Sequence, residues 1–396
     1  VNAKPVIYLD ANASEPLRPE ARAAMLAALD LVGNPSSVHA AGRAARRLLE
    51  EARETIAARF GARPQHVVFT SGATEADALA LLGLGAGRKL LVSAIEHEAV
   101  RRNARGALEI PVTAEGVIDL AALEAALARH PGALVAVMAA NNETGVLQPV
   151  AEIAALCRRH GALLHVDAAQ QAGRLPLDFA SLGAASLALS SHKLGGPMGA
   201  GALLLDDDAY ARLRPLWEGG GQERGLRAGT PALPNICGFA AAARAAAPHP
   251  LWAELRARLE AGAKGCGAVV IGESAPRLPN TSALALPGVP AQTQVIALDL
   301  AGIAVSAGSA CSSGRVQQSH VLAAMGLGAL AGETIRVSLP WSVSPADIEA
   351  FLDAYAAMAS RLAPHLREGQ GRSLSSCNAA GDGLPPARQP VPASGG

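Results

Sequence analysis

Cys311 stands in the run Gly308-Ser309-Ala310-Cys311-Ser312-Ser313-Gly314, where every neighbour is small and glycine closes both ends. Such a run packs no core and predicts a mobile, solvent-reachable loop. A thiol there is open to chemistry, since the thiolate is the nucleophile and exposure and local charge govern it. The other cysteines read differently. Cys157 falls in the helical pattern 151–160, and Cys237 lies among Ile236, Phe239 and Ala240, as small buried hydrophobes do.

Five more motifs each follow an apolar, strand-like run. Ser190-Ser191-His192-Lys193-Leu194-Gly195-Gly196-Pro197 offers a lysine that can form a Schiff base, with glycines permitting close backbone approach; a solvated lysine is the commoner fate of this residue type. His165-Val166-Asp167-Ala168-Ala169-Gln170 presents a carboxylate able to pair with a pyridinium nitrogen and an amide able to reach a phenolic oxygen, or else a plain helix cap. Thr70-Ser71-Gly72-Ala73-Thr74-Glu75-Ala76-Asp77 reads as strand, turn and helix start. Its backbone N–H groups suit a phosphate, and Thr74 with Asp77 also suits a simple T-x-x-D capping box. The motif lacks the lysine of a P-loop. Ile95-Glu96-His97-Glu98 supplies a histidine that can stack on a flat ring and move protons. Asn141-Asn142-Glu143-Thr144-Gly145 supplies an amide to orient a substrate or ring. Singly, such motifs are more often turns than sites. Together they make one cofactor cage: phosphate cradle, stacking histidine, pyridinium partner and Schiff-base lysine.

The elements that must position them alternate. Strand-like runs at 66–70, 89–93, 133–139, 162–166, 186–190 and 201–205 are interleaved with helical patterns near 74–84, 120–130 and 151–160. This predicts an α/β fold with a largely parallel sheet covered on both faces, which binds ligands beyond the carboxyl ends of its strands. A second α/β alternation runs from about 255 to 366, with helices at 251–263 and 293–301, strands at 268–271 and 334–339, and a helix after Ser344-Pro345. The expected division is a large domain at 15–254, a small one from 1–14 and 255–366 that carries the Cys311 loop, and a disordered Gly, Ser, Pro and Ala-rich tail at 367–396 that includes Cys377.

Composition bounds the function. The 396 residues are half apolar with a formal charge of zero, which gives no general argument for nucleic-acid or membrane-surface binding. No apolar run reaches the ~18 residues of a membrane span, and the first residues show no signal-peptide pattern. Five scattered cysteines without a C-x-x-C pair argue against a disulfide framework or structural zinc and favour a reducing cytoplasm. No metal site is expected. Only Lys4, Lys89, Lys193 and Lys264 are lysines among 34 basic residues, so a lysine in the uncharged, glycine-rich segment at 193 points to a need for an amine.

With these residues assembled, the chain resembles the cysteine desulfurases of the NifS/IscS type, class-V aminotransferase relatives within the aspartate-aminotransferase fold (fold type I) of pyridoxal phosphate (PLP) enzymes. The resemblance spans about residues 6–360. Besides the motifs above it rests on Gly33-Asn34-Pro35-Ser36-Ser37-Val38-His39, Gly219-Gly220-Gly221-Gln222-Glu223-Arg224-Gly225-Leu226-Arg227 and Thr334-Ile335-Arg336. It implies a large domain with a mainly parallel sheet and a smaller C-terminal α/β domain. It also implies that Lys193 holds PLP, Asp167 pairs with the ring nitrogen, Gln170 with the ring oxygen, and His97 stacks on the ring. Ala73, Thr74, Ser190 and His192 would contact the phosphate, and Thr230 the phosphate of a partner subunit in a homodimer. Asn142 and Arg336 would bind the substrate, L-cysteine, with Arg336 gripping its carboxylate. Lys193 would move the Cα proton, and Cys311 would take the sulfur as a persulfide, releasing alanine. The loop would then carry the sulfur to an acceptor, such as an IscU- or NifU-like scaffold for iron–sulfur clusters or a thio-cofactor pathway.

Three segments depart from the family pattern: Leu9-Asp10-Ala11-Asn12-Ala13-Ser14-Glu15, Gln317-Gln318-Ser319-His320 and Leu339-Pro340-Trp341-Ser342. None is expected to touch the cofactor cage. An aminotransferase or a selenocysteine lyase shares the implied fold. The first has no need of the Cys311 loop, and the second shares the chemistry. A non-catalytic sulfur-transfer scaffold would be expected to have lost Lys193 or Cys311.

Overall fold

The computed structural model describes residues 6–308 and 319–364. Cys311 and the 367–396 tail lie outside the described residues. Thirteen strands occur among them: β1 (Ile7–Tyr8), β2 (Val67–Thr70), β3 (Leu90–Ser93), β4 (Leu108–Ile110), β5 (Leu134–Met138), β6 (Leu163–Asp167), β7 (Ser186–Ser190), β8 (Gly201–Leu205), β9 (Val269–Val270), β10 (Thr281–Ala285), β11 (Ile303–Ala304), β12 (Ser306–Ala307) and β13 (Thr334–Ser338).

Seven of these form one sheet in the order β2-β8-β7-β6-β5-β3-β4. All pairs are parallel except those of β8, which runs against both β2 and β7. The largely parallel sheet expected from the alternation is therefore present. Two reversals in succession leave β2 parallel to β7, so β2, β7, β6, β5 and β3 all end at the same edge. Each of these strands ends in one of the polar motifs.

Alternating side chains divide the sheet between two cores. Val68, Leu134, Ala136, Ala188 and Leu203 pack beneath the helix Ala73–Leu84. Val67, Val135, Val137, Leu164, Val166, Leu187 and Leu189 face the other way, toward the helices Ala40–Phe60, Val150–Arg159 and Leu233–Ala245. Burying each of these Val and Leu side chains contributes about 1.5–3 kcal/mol. Cys157 lies in this second core, and burial pushes its thiol up to about 12.

A second, four-stranded sheet has the order β12-β13-β10-β9 and is wholly antiparallel. Its apolar residues pack with the helices Trp252–Gly265, Ala291–Leu300 and Pro345–Leu362 around Trp252, Phe351 and Tyr355. The last helix begins with a capping box between Ser344 and Asp347. The opening residues of the chain belong here too. β1 pairs with β11, and Asp10 bridges to Ser338.

Candidate active site

The strand ends converge on a cavity of about 580 Å³. Ala73, Thr74, His97, Asn142, Asp167, Gln170, Ser190, His192, Lys193 and Arg336 all line it. Thr230, expected to serve a partner's site, is exposed and does not line this cavity.

The cradle after β2 is built on glycine. Gly72 adopts φ 156° and ψ −179°, a region open essentially to glycine alone. A Cβ there would meet nothing within 4 Å, so the helix start opens onto space. No side chain caps the helix Ala73–Leu84, and its first N–H groups are available to an anion. The T-x-x-D box is therefore not the arrangement adopted. Asp77 instead turns inward against His165. Glu75 folds back to accept from Ser71 N–H at 2.7 Å and is held by Arg227 at 2.7 Å.

Asp167 ends β6, and its Oδ1 accepts from Ala169 N–H at 2.9 Å. Burial raises its carboxyl above the usual range, while that N–H, His97 and Lys193 pull it back. His97 caps the helix Glu98–Asn103 by accepting from Ala99 N–H through Nδ1 at 3.1 Å. His192 is brought down to about 4, first by burial and then by Lys193 and Arg174, so its ring is neutral at pH 7. Lys193 Nζ donates to the carbonyl of Asn12 at 2.6 Å and to that of Ala13 at 3.0 Å. Gln170 Nε2 donates to the Asn12 carbonyl at 3.1 Å, and Arg174 holds both oxygens of Gln170.

These contacts correct one expectation. The segment 9–15 does touch the cage: Asp10, Asn12 and Ala13 line the cavity, and Ser14 Oγ lies 3.3 Å from His192 Nδ1. Its main contribution is a backbone carbonyl, which no residue type announces. Asp10 is a second residue that sequence reasoning missed. Its Oδ1 lies 2.6 Å from Arg336 Nη2, and its Oδ2 accepts from Ser306 Oγ at 2.8 Å. Arg336 Nη1 also donates to the Asn142 carbonyl at 3.1 Å. An acidic residue directly after the strand-like Ile7-Tyr8-Leu9 was the available signal.

Glu143, next to Asn142, does not line the cavity. Its Oε2 accepts from Ser319 Oγ at 2.5 Å, and a Cβ on Gly308 would come within 2.6 Å of it. Burial pushes its carboxyl up to about 7 against the opposing influence of Ser319, Arg336 and His97.

The arrangement brings an amine, the buried carboxyls of Asp77 and Asp167, a neutral imidazole, an anion-ready helix start and a fixed guanidinium to a single space. Residues 7–351 match the aminotransferase class-V family. The chain is similar to an IscS-like cysteine desulfurase of Mycobacterium tuberculosis, 39% identical over 372 residues, covering 87% of this chain and 94% of the relative. It is similar to a solved NifS-like protein from Rickettsia africae at a TM-score of 0.82 and 33% identity, covering 89% of this chain and 99% of that one. A structure of SspA in complex with cysteine is similar at a TM-score of 0.75 and 32% identity, covering 84% of this chain and 98% of that one.

Proposed function

Because the chain belongs to the aminotransferase class-V family, we propose that it is a PLP-dependent cysteine desulfurase of fold type I, which takes sulfur from L-cysteine and leaves L-alanine. The observation that carries this reading is the convergence of Lys193, Asp167, His97 and Arg336, from four separate strands or their ends, on one cavity.

The residues present fit the coenzyme. Asp167 is a buried carboxyl that accepts from an N–H, which suits a ring nitrogen that carries a proton. The uncapped helix start beside Gly72 suits a phosphate, with Ala73, Thr74, Ser190 and His192 around it. Lys193 would hold the coenzyme through its amine, His97 would lie against the ring, and Gln170 would approach the ring oxygen. Bound PLP supplies an electron sink for the pair left when a proton leaves the substrate Cα.

The chain's own groups do the rest. Arg336 and Asn142 receive the substrate's carboxylate and fix its orientation. Lys193 Nζ, held near the backbone carbonyls of 12 and 13, takes the Cα proton and returns it. Cys311, outside the described residues, attacks the substrate sulfur as thiolate. One S–S bond forms, the substrate's C–S bond breaks, and its electron pair stays with the carbon that becomes alanine. The persulfide on Cys311 then passes to an acceptor protein, an IscU- or NifU-like scaffold for iron–sulfur assembly or a thio-cofactor enzyme.

The division into a large domain at 15–254 and a small one from 1–14 and 255–366 belongs to the same reading. So do a homodimer in which Thr230 reaches the phosphate of the partner subunit's site, and action in the cytoplasm. No helix among the described residues is long and apolar enough to cross a membrane.

The test is mass spectrometry of the Cys311 peptide after brief L-cysteine treatment without reductant, with alanine assayed in the same tube. One added sulfur together with alanine is the expected result. Bound PLP with neither product would sink the desulfurase reading. A Cys311→Ser variant that still carries protein-bound persulfide would overturn the assignment of Cys311 alone.

A further inference from the structure

Behind the cavity wall that carries Asp167 lies a buried polar chain that the proposed chemistry leaves unused. His165 and Asp167 are two residues apart on β6, so both face the helix Ala73–Leu84, while Leu164 and Val166 face the opposite core. His165 Nε2 lies 3.1 Å from Asp77 Oδ1. His165 Nδ1 lies 2.9 Å from Oγ of Ser186, its register partner on β7. All three side chains are fully buried. Asp77 Oδ2 has no hydrogen-bond partner among the described residues, and Asp77 reaches the same cavity as Asp167. A third buried carboxyl, Glu96, repels both. Its Oε1 accepts from Met138 N–H at 2.8 Å, and its Oε2 has no partner among the described residues.

Three buried carboxyls that repel one another cannot all ionise at ordinary cost. Within this cluster, His97 and Lys193 favour the ionised form of Asp167. The proton arrangement at His165 then has three options. Asp77 can be a carboxylate beside an imidazolium, a carboxylate accepting from a neutral ring's Nε2–H, or a carboxyl donating to a bare Nε2. The first two place a second negative charge beside Asp167.

We propose that Asp77 is a neutral, protonated carboxyl that donates to His165 Nε2, holds the ring as its Nδ1–H tautomer donating to Ser186 Oγ, and so leaves Asp167 the one carboxylate facing the coenzyme's ring nitrogen. Asp77 is a positioning residue in this arrangement. It acts through His165 and through its own lack of charge. Burial favours the same state, since it drives Asp77 well above the usual carboxylate range and His165 down to about 3. The consequence for the coenzyme rests on the reading of Asp167 given above.

Nitrogen NMR of the histidine-labelled apo-protein tests the first part without any variant, with the His165 ring assigned by correlation to its own backbone amide. The Nδ1–H pattern, unchanged between about pH 6 and pH 8.5, is the expected result. An Nε2–H ring or an imidazolium overturns the proposal. The second part uses the isosteric variant Asp77→Asn, whose amide can donate to the same nitrogen. PLP affinity within about threefold of wild type is expected, with the pH dependence of the bound coenzyme's visible absorbance superimposed. A larger loss, or a shift of the absorbance profile by about a unit, would reveal that a charge had been removed and would overturn it. Asp167→Asn separates the two readings. If that variant binds PLP as tightly as wild type, the ring-nitrogen role of Asp167 fails while the tautomer result at His165 stands.

Discussion

Arg336 Nη2 sits 2.6 Å from Asp10 Oδ1, so the guanidinium assigned to the substrate carboxylate already rests on a carboxylate of the chain. The two residues are 326 positions apart, and Arg336 is nearly buried. Ser306 holds the other oxygen of Asp10, and Ser306 is itself the register partner of Arg336. The planar group is thus clamped before substrate arrives, which reduces the ordering cost of binding.

That clamp predicts a split in the kinetics. Replacing Asp10 with Asn should raise KM for L-cysteine about tenfold and leave kcat within about threefold, since a positioning contact made equally in ground and transition states is lost. Steady-state assays of alanine formation, with coenzyme content measured alongside, give the answer. An unchanged KM at full coenzyme loading would show that Arg336 is oriented without Asp10.

Lys193→Ala removes both the amine that would hold the coenzyme and the base at the substrate Cα. Alanine formation should fall by about 10²- to 10⁴-fold. The visible absorbance of the covalently held coenzyme should also disappear from the spectrum of the purified protein. Retention of that absorbance would relocate the lysine's role.

Glu143 makes stability depend on pH in a stated direction. Its folded-state carboxyl is raised from an ordinary 4.5 to about 7, so the folded protein binds the proton more tightly than the unfolded chain does. The contribution is full below about pH 4.5 and is lost as pH rises through about 7. Glu143→Gln keeps an acceptor for Ser319 and cannot ionise. Urea unfolding between about pH 4.5 and pH 7.5 should show wild type losing stability relative to the variant as pH rises. Parallel curves would contradict the raised carboxyl.

Arg53 and Glu223 form a two-pronged pair at 2.7 and 2.8 Å, and Phe69 N–H of β2 adds a third bond to Glu223 at 2.9 Å. Both side chains are almost wholly buried. Glu223 and its neighbour Arg224 adopt φ of 46° and 58°, values costly for residues other than glycine. Glu223→Ala should destabilise the protein by about 3–5 kcal/mol, because the buried Arg53 loses its two-pronged carboxylate and keeps only the partly exposed Glu50 and the Val67 carbonyl. Chemical unfolding at constant slope checks this. A cost under about 1 kcal/mol would place the pair among surface-like bridges.

The strand ends were legible because an apolar run stopping at a polar cluster marks both a buried strand and its exit. The runs ending at Thr70, Ser93, Val166, Ser190 and Leu205 fall within about one residue of the observed strands. The three-residue β4 and the reversal of β8 were not legible, since neither length nor direction leaves a hydrophobic pattern. Lys193 and Asp167 were legible by residue type. The support beneath Lys193 was not, because it is the main-chain oxygen of Asn12, and any residue supplies one. Asp77 was seen as a helix-start residue. Its pairing with His165 spans 88 positions and depends on which face of β6 turns toward the helix Ala73–Leu84.

The segment around Asn12 also sets an order of events during synthesis. Lys193, Asp167 and all seven strands of the large sheet exist once about 205 residues have been made. The carbonyls of 12 and 13 that receive Lys193 belong to a segment fastened by Ser338, through Asn12 N–H to Ser338 Oγ at 2.9 Å, and by the pairing of β1 with β11. A nascent chain on the ribosome therefore carries the reactive lysine for more than a hundred residues before the strap that steadies it can close. Lys193 gains this backbone support only after the segments around Asn12 and Ser338 have met.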